Sequence, residues 1–178
     1  CKKLDSITLP ASVVSVGAGA FADCEELKSA AFVSGNRPVV LGDNLFSRCW
    51  KLAKVTLPEN IDAIGIGMFQ NCFYALSGLR IPQGVTQIQS SAFASCSALS
   101  SITIPDSVTA IESSAFSACS ALRDIYFGGS ETQWNSIRKA ADVTVDLKDV
   151  TVHYNSAGPD TDPDPGHTHT WDSGAVTR

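Results

Sequence analysis

Apolar and polar residues alternate in six short runs, with apolar side chains at Ile7 and Leu9, Ala30 and Phe32, Val55 and Leu57, Leu79 and Ile81, Ile102 and Ile104, and Ile125 and Phe127. A period of two marks a strand with one face buried. Pro10, Pro58, Pro82 and Pro105 follow four of the runs and close them, because proline has no N–H with which to continue a ladder. A second apolar pair comes after the proline, at Val13 and Val16, Ile61 and Ile64, Val85 and Ile88, and Val108 and Ile111.

The cysteines set the period. Cys1, Cys24, Cys49, Cys72, Cys96 and Cys119 are separated by 23, 25, 23, 24 and 23 residues. Five of them follow a phenylalanine by three residues (Phe21, Phe46, Phe69, Phe93, Phe116), and each precedes a leucine by three or, at Cys72, by four. One coil of 23 to 25 residues cannot bury two or three apolar edges by itself. Parallel strands stacked about 4.8 Å apart cover one another and make a continuous core. The expected fold is a repeat solenoid: a right-handed leucine-rich-repeat stack with a parallel β-sheet, about five to six coils long, ending in a short helix-containing cap.

A small apolar thiol on the inner side of every coil is the ordinary use of a buried cysteine. An even number of cysteines in an exported protein points instead to bridges, yet cysteines at one repeat position have parallel Cα–Cβ vectors, unlike bridged pairs. Free, buried thiols are the expectation. No C-x-x-C pair occurs and no histidine lies within the repeats, so the pattern calls for no metal.

Ile102-Thr-Ile-Pro-Asp-Ser-Val-Thr-Ala-Ile and Ala115-Phe-Ser-Ala-Cys-Ser-Ala-Leu resemble the BspA-like leucine-rich repeats of bacterial surface proteins, and the resemblance runs over residues 1–127. It implies an exported or surface-attached protein, similar to adhesins that bind host matrix proteins or other microbes. The ligand does not carry over, because solenoid families share a core and diverge on the exposed face.

Residues 128–155 resemble the family's C-terminal cap: Ser130 and Gln133 make a capping-box pattern, Trp134, Ile137 and Ala141 give one apolar stripe of a short helix, and a final strand ends in His153-Tyr-Asn. Residues 156–166 form a Pro- and Asp-rich linker, and 167–178 begin a truncated following module or tail. Asp160, Asp162 and Asp164 superficially match a calcium loop, but lack its glycine and final glutamate, and prolines interrupt them. Cys1 already sits inside a repeat, so a targeting signal is expected upstream.

Composition narrows the function. The hydrophobic content of 44% is enough for a continuous core, and a net charge of −5 with 13 scattered basic residues argues against a nucleic-acid surface. No apolar stretch reaches membrane-spanning length. Three histidines, His153, His167 and His169, stand beyond the repeats, and no nucleophile–base–acid set, phosphate loop or H-E-x-x-H motif can be assembled. The reading is a non-catalytic, cofactor-free module that recognises a protein or glycan at the cell surface. A passive spacer or display scaffold, or the anchoring domain of a larger surface hydrolase, are the competing roles.

Two places could hold a partner. The outward strand positions are mostly small and polar, with Lys54, Arg80 and Tyr126 as the large handles. Just after the cysteine, where other coils carry Lys2, Glu25, Ser97 and Ser120, two consecutive coils carry Trp50 and then Phe73-Tyr74. Exposed aromatics in one patch mark partner sites, against the alternative that Phe73 tucks inside and Trp50 covers a neighbouring loop.

Overall fold

A computed structural model of the protein describes residues 1–158; Asp160, Asp162, Asp164, His167 and His169, and with them most of the expected linker and all of the expected tail, lie outside the described residues. Each repeat is one turn of a parallel β-solenoid of about six turns. On the first face β1 (Ser6–Leu9), β3 (Ser29–Phe32) and β5 (Lys54–Thr56) form one sheet, and β7 (Gly78–Arg80), β9 (Ser101–Ile104), β11 (Asp124–Phe127) and β13 (Thr151–His153) form another. On the second face β2 (Ser15–Val16) pairs with β4 (Val40–Leu41), while β6 (Ala63–Ile64), β8 (Gln87–Ile88), β10 (Ala110–Ile111) and β12 (Arg138–Lys139) make a four-stranded ladder. All pairs are parallel and in phase with the repeat, as in Ser6 with Ser29 with Lys54 and Gly78 with Ser101 with Asp124.

The third side is a double turn built around Phe and Cys. The Cys N–H donates to the Phe carbonyl three residues back, as in Cys96 to Phe93 at 3.0 Å, and the Leu N–H then donates to the Cys carbonyl, as in Leu99 to Cys96 at 3.1 Å. Two reversals per coil need left-handed backbone. Gly19, Asn44, Gly67, Ser91 and Ser114, two residues before each Phe, and Asp23, Arg48, Asn71, Ser95 and Ala118, just before each Cys, all have φ between 56° and 63°. Glycine, asparagine and aspartate tolerate that region; Arg48 and Ala118 occupy it against their preference because the stack fixes it.

These turns aim the same side chain inward in every coil. Phe21, Phe46, Phe69, Phe93 and Phe116 stack ring on ring at 5.4–5.6 Å, tilted by 7–14°. Cys49, Cys72, Cys96 and Cys119 each donate their thiol to the phenylalanine carbonyl of the preceding coil at 3.0–3.3 Å. All six cysteines are free, but two depart from the expectation of burial: Cys1 is exposed and Cys119 half-buried.

The C-terminal end is sealed by α1 (Glu131–Ser136), whose N-terminus carries the reciprocal Ser130–Gln133 capping box. Trp134 lies edge-on to Phe127 at 5.3 Å, with Lys139 Nζ 4.3 Å over its ring, and Ile137 is buried beside it. Ala141 does not share that stripe: α1 stops at Ser136, β12 intervenes, and Ala141 begins a second helix, α2 (Ala141–Asp146), with its side chain exposed. Val143 and Leu147 take over the buried role.

Candidate partner-binding surface

The coil after Cys72 spends its additional residue on the surface. Tyr74 N–H donates to the Trp50 carbonyl at 3.3 Å, tying the two aromatic positions into neighbouring rungs, and Leu76 returns to the core one residue late. Tyr74 is 75% exposed and Trp50 37%; Phe73 is half-buried, its ring 5.9 Å from that of Tyr74 and tilted 52°. The Phe73 carbonyl accepts the Ser97 hydroxyl at 2.9 Å, which fixes the backbone of the patch from the next coil. Charged pairs border it on the other side, Lys51 with Glu26 at 2.8 Å and Arg48 with Asp23.

The same coil step divides the first-face sheet. The rung carried by Lys28 N–H to Asp5, and later by Ser100 N–H to Ser77 and Arg123 N–H to Ser100, is interrupted where β5 and β7 belong to separate sheets. A shallow pocket opens there, lined by Lys54, Thr56, Glu59, Gly78, Arg80 and Pro82. Lys54 is exposed on one lip; Arg80, with its side chain only 17% exposed, reaches across to Glu59 at 3.1 Å. The sequence signal for this division was the leucine at plus four instead of plus three.

Tyr126 belongs to a different setting from the other five candidates. β13 pairs beside β11, so His153 stacks on Tyr126 at 4.7 Å and 15° while its Nε2 meets Asp124 Oδ1 at 2.7 Å. The chain then folds back across the sheet: Asn155 N–H donates to Gly129 and Ser156 N–H to Phe127, and Gly158 lies so close over Thr103 and Tyr126 that a Cβ there would overlap the Thr103 hydroxyl. Tyr126 is half-buried and Thr103 buried, where a solvated outer face was expected. Nothing in the local sequence of Val150–Asn155 signals this; it depends on the pairing of two segments more than 20 residues apart.

Burial controls the thiol chemistry. It pushes the Cys49 and Cys119 thiols up to about 12, and Cys72 is raised by its hydrogen bond with Cys96 and by burial, so these three sulfurs stay protonated and unreactive. Among the described residues no cluster of three or more His, Cys, Asp or Glu could hold a metal, and no helix is long and apolar enough to cross a membrane.

Comparison with known proteins places this geometry. The BspA type leucine rich repeat region matches in six copies, over residues 1–123 and 39–156. A leucine rich cell surface protein from Faecalibacterium prausnitzii is similar at 36% identity and a TM-score of 0.70, over 75% of this chain and 35% of that one. The T. pallidum leucine rich repeat protein aligns at 28% identity and a TM-score of 0.63, over 70% of this chain and 59% of that one. A leucine-rich repeat protein from Bacteroides ovatus, at 23% identity and a TM-score of 0.51, over 88% of this chain and 50% of that one, shares the fold alone. The chain thus spans 35% and 59% of the lengths of the first two relatives. No curated protein matches it.

Proposed function

The chain belongs to the BspA-type leucine-rich repeat family, and from that premise we propose that it is a non-catalytic recognition module of a bacterial surface or secreted protein, binding a protein or glycan through Trp50, Phe73 and Tyr74. The observation that carries this reading is the exposure of Trp50 and Tyr74 on adjoining rungs, at a repeat position otherwise filled by residues such as Glu25 and Ser120. Aromatic side chains give large contact area for little lost rotamer freedom and lead the list of energetic anchors at interfaces. Lys54, beside the division of the sheet, extends the surface, with Arg80 at its inner edge; Tyr126 is left out of it by His153 and Gly158. The family and the similar leucine rich cell surface protein support a surface location.

The test is a Trp50→Ala, Tyr74→Ala double variant screened with the parent against extracellular-matrix proteins and glycans. The expected outcome is an unchanged fold with binding reduced at least about 30-fold, equivalent to about 2 kcal/mol. Full binding by a folded double variant moves the contact to another face; no partner for the parent favours the spacer role.

A further inference from the structure

We propose that the division between β5 and β7 is a binding site for a carboxylated sugar, a uronate-type residue of an acidic glycan, with Lys54 as the counter-ion of its carboxylate. This rests on the recognition reading above and deepens it by naming the class of partner.

Backbone direction carries the argument. Lys54 N–H donates to the Lys28 carbonyl at 3.2 Å, towards β3, and Ile81 N–H donates to the Thr103 carbonyl at 2.9 Å, towards β9. Successive peptide groups along a strand point to opposite edges, so the N–H and C=O groups of Val55 on β5 and of Gly78 on β7 turn into the division. Because β5 and β7 belong to separate sheets, these groups take no ladder partner there among the described residues. Gly78 occupies the outward position that Ser101 and Asp124 hold in the next two coils, and it has no side chain with which to fill the space beside Lys54. The pocket so formed has a volume of about 70 Å³, and at about 10–15 Å³ for each water-sized group it takes about five of them. That is room for a carboxylate and the hydroxyls next to it, and too little for an inserted peptide strand.

The polar lining selects among acids. Lys54 is exposed and enters no ion pair among the described residues, which leaves its ammonium to meet a carboxylate at the mouth of the pocket. Glu59, held by Arg80 at 3.1 Å, belongs to the same lining. Its charge repels a run of acidic peptide side chains but accepts hydrogen bonds from hydroxyls, and Thr56 adds a hydroxyl of its own. A single carboxylate ringed by hydroxyls is the chemistry of a uronate. Trp50 and Tyr74 stand four residues before Lys54 and Gly78, so the aromatic platform begins no more than about 14 Å along the same two coils, within reach of the adjoining sugars.

Titration of the full chain with an oligosaccharide of alternating glucuronate and N-acetylglucosamine, and with its carboxyl-reduced counterpart, tests the site. The parent is expected to bind the acidic form at least about 5-fold more tightly, and Lys54→Met to erase that preference with an unchanged melting temperature. The Trp50→Ala, Tyr74→Ala variant should weaken both forms and keep the preference. Equal affinity of the parent for the two forms overturns the carboxylate site and leaves the aromatic reading standing; a preference kept with full affinity in the aromatic variant does the reverse. A preference that survives Lys54→Met, binding of neither oligosaccharide by the parent, or equally tight binding of an oligoglutamate peptide each overturns the proposal.

Discussion

The first coils and the last coils of the stack are held together differently. At the N-terminal end Leu4, Ile7, Leu9, Val16 and Phe21 are only partly buried, and successive coils are joined on the surface by ion pairs: Lys2 with Glu25, Asp5 with Lys28, Asp23 with Arg48, Glu26 with Lys51. Towards the C-terminal end the coils are joined by hydroxyls donating to carbonyls one coil away, Ser97 to Phe73, Ser100 to Ser77, Ser107 to Val85 and Thr109 to Thr86 at 2.7–3.2 Å. There Trp134 and Ile137 close the core. Exposed ion pairs contribute little net stability, whereas covering apolar area contributes about 25 cal/mol per Å². Charge stitching therefore holds coils together less firmly than buried apolar area does, and in a stack where coils support only their neighbours the less deeply buried coils open first.

Thiol reactivity gives the largest contrast. In native protein Cys1 should label with a maleimide as a surface thiol, while Cys49, raised to about 12 by burial, should label at least ~1,000-fold more slowly. Denaturation without reductant should release all six thiols. Equal native rates at both positions would break the comparison, because the interior thiol would then be as accessible as the surface one.

Core deletions come next. Phe93→Ala, in the fully buried middle of the stack, should cost about 3 to 5 kcal/mol in denaturant unfolding. Phe21→Ala, with its ring half-buried, should cost less than half as much and leave the main transition in place. A loss below about 1 kcal/mol at Phe93 would show that the ring ladder does not hold the stack together.

Backbone strain sharpens the picture at the other end. Ala118, at φ 57°, should gain about 0.5 to 1 kcal/mol of stability on replacement by Gly, seen as a raised melting temperature. The smallest effects belong to the ion pairs. The Arg48 hydrogen bond holds the Asp23 carboxyl below its ordinary range, so its contribution is present at neutral pH and is lost as pH falls through that lowered value. Asp5 holds Lys28 above its ordinary range, so that contribution is lost as pH rises through the raised value. Stability should be level between those limits, and 1 M salt should change it by less than about 1 kcal/mol, with hydrogen exchange rising only before Trp50.

Much of this was legible in the chain itself. The Phe–Cys–Leu spacing and the alternating runs specify which side chains face inward, because a strand has a fixed period and a parallel stack repeats it without error. The leucine at plus four after Cys72 marked the coil where the regular spacing changes. The aromatic residues after Cys49 and Cys72 could be read as neighbours for the same reason, since equivalent repeat positions fall on adjoining rungs.

What the sequence did not convey depends on segments distant along the chain. The ten left-handed residues of the Phe–Cys turns include Arg48 and Ala118, whose identities give no warning, because the geometry is imposed by the coils on either side. The helix ending at Ser136 instead of continuing to Ala141 reflects β12 finding an edge to pair with at β10. Tyr126 reads as an exposed strand residue until β13 brings His153 onto its ring and Gly158 across its face. The local pattern determined the inside of each coil, where burial dominates; the outside was decided by which later segment came to lie on it, and only the tertiary structure holds that information.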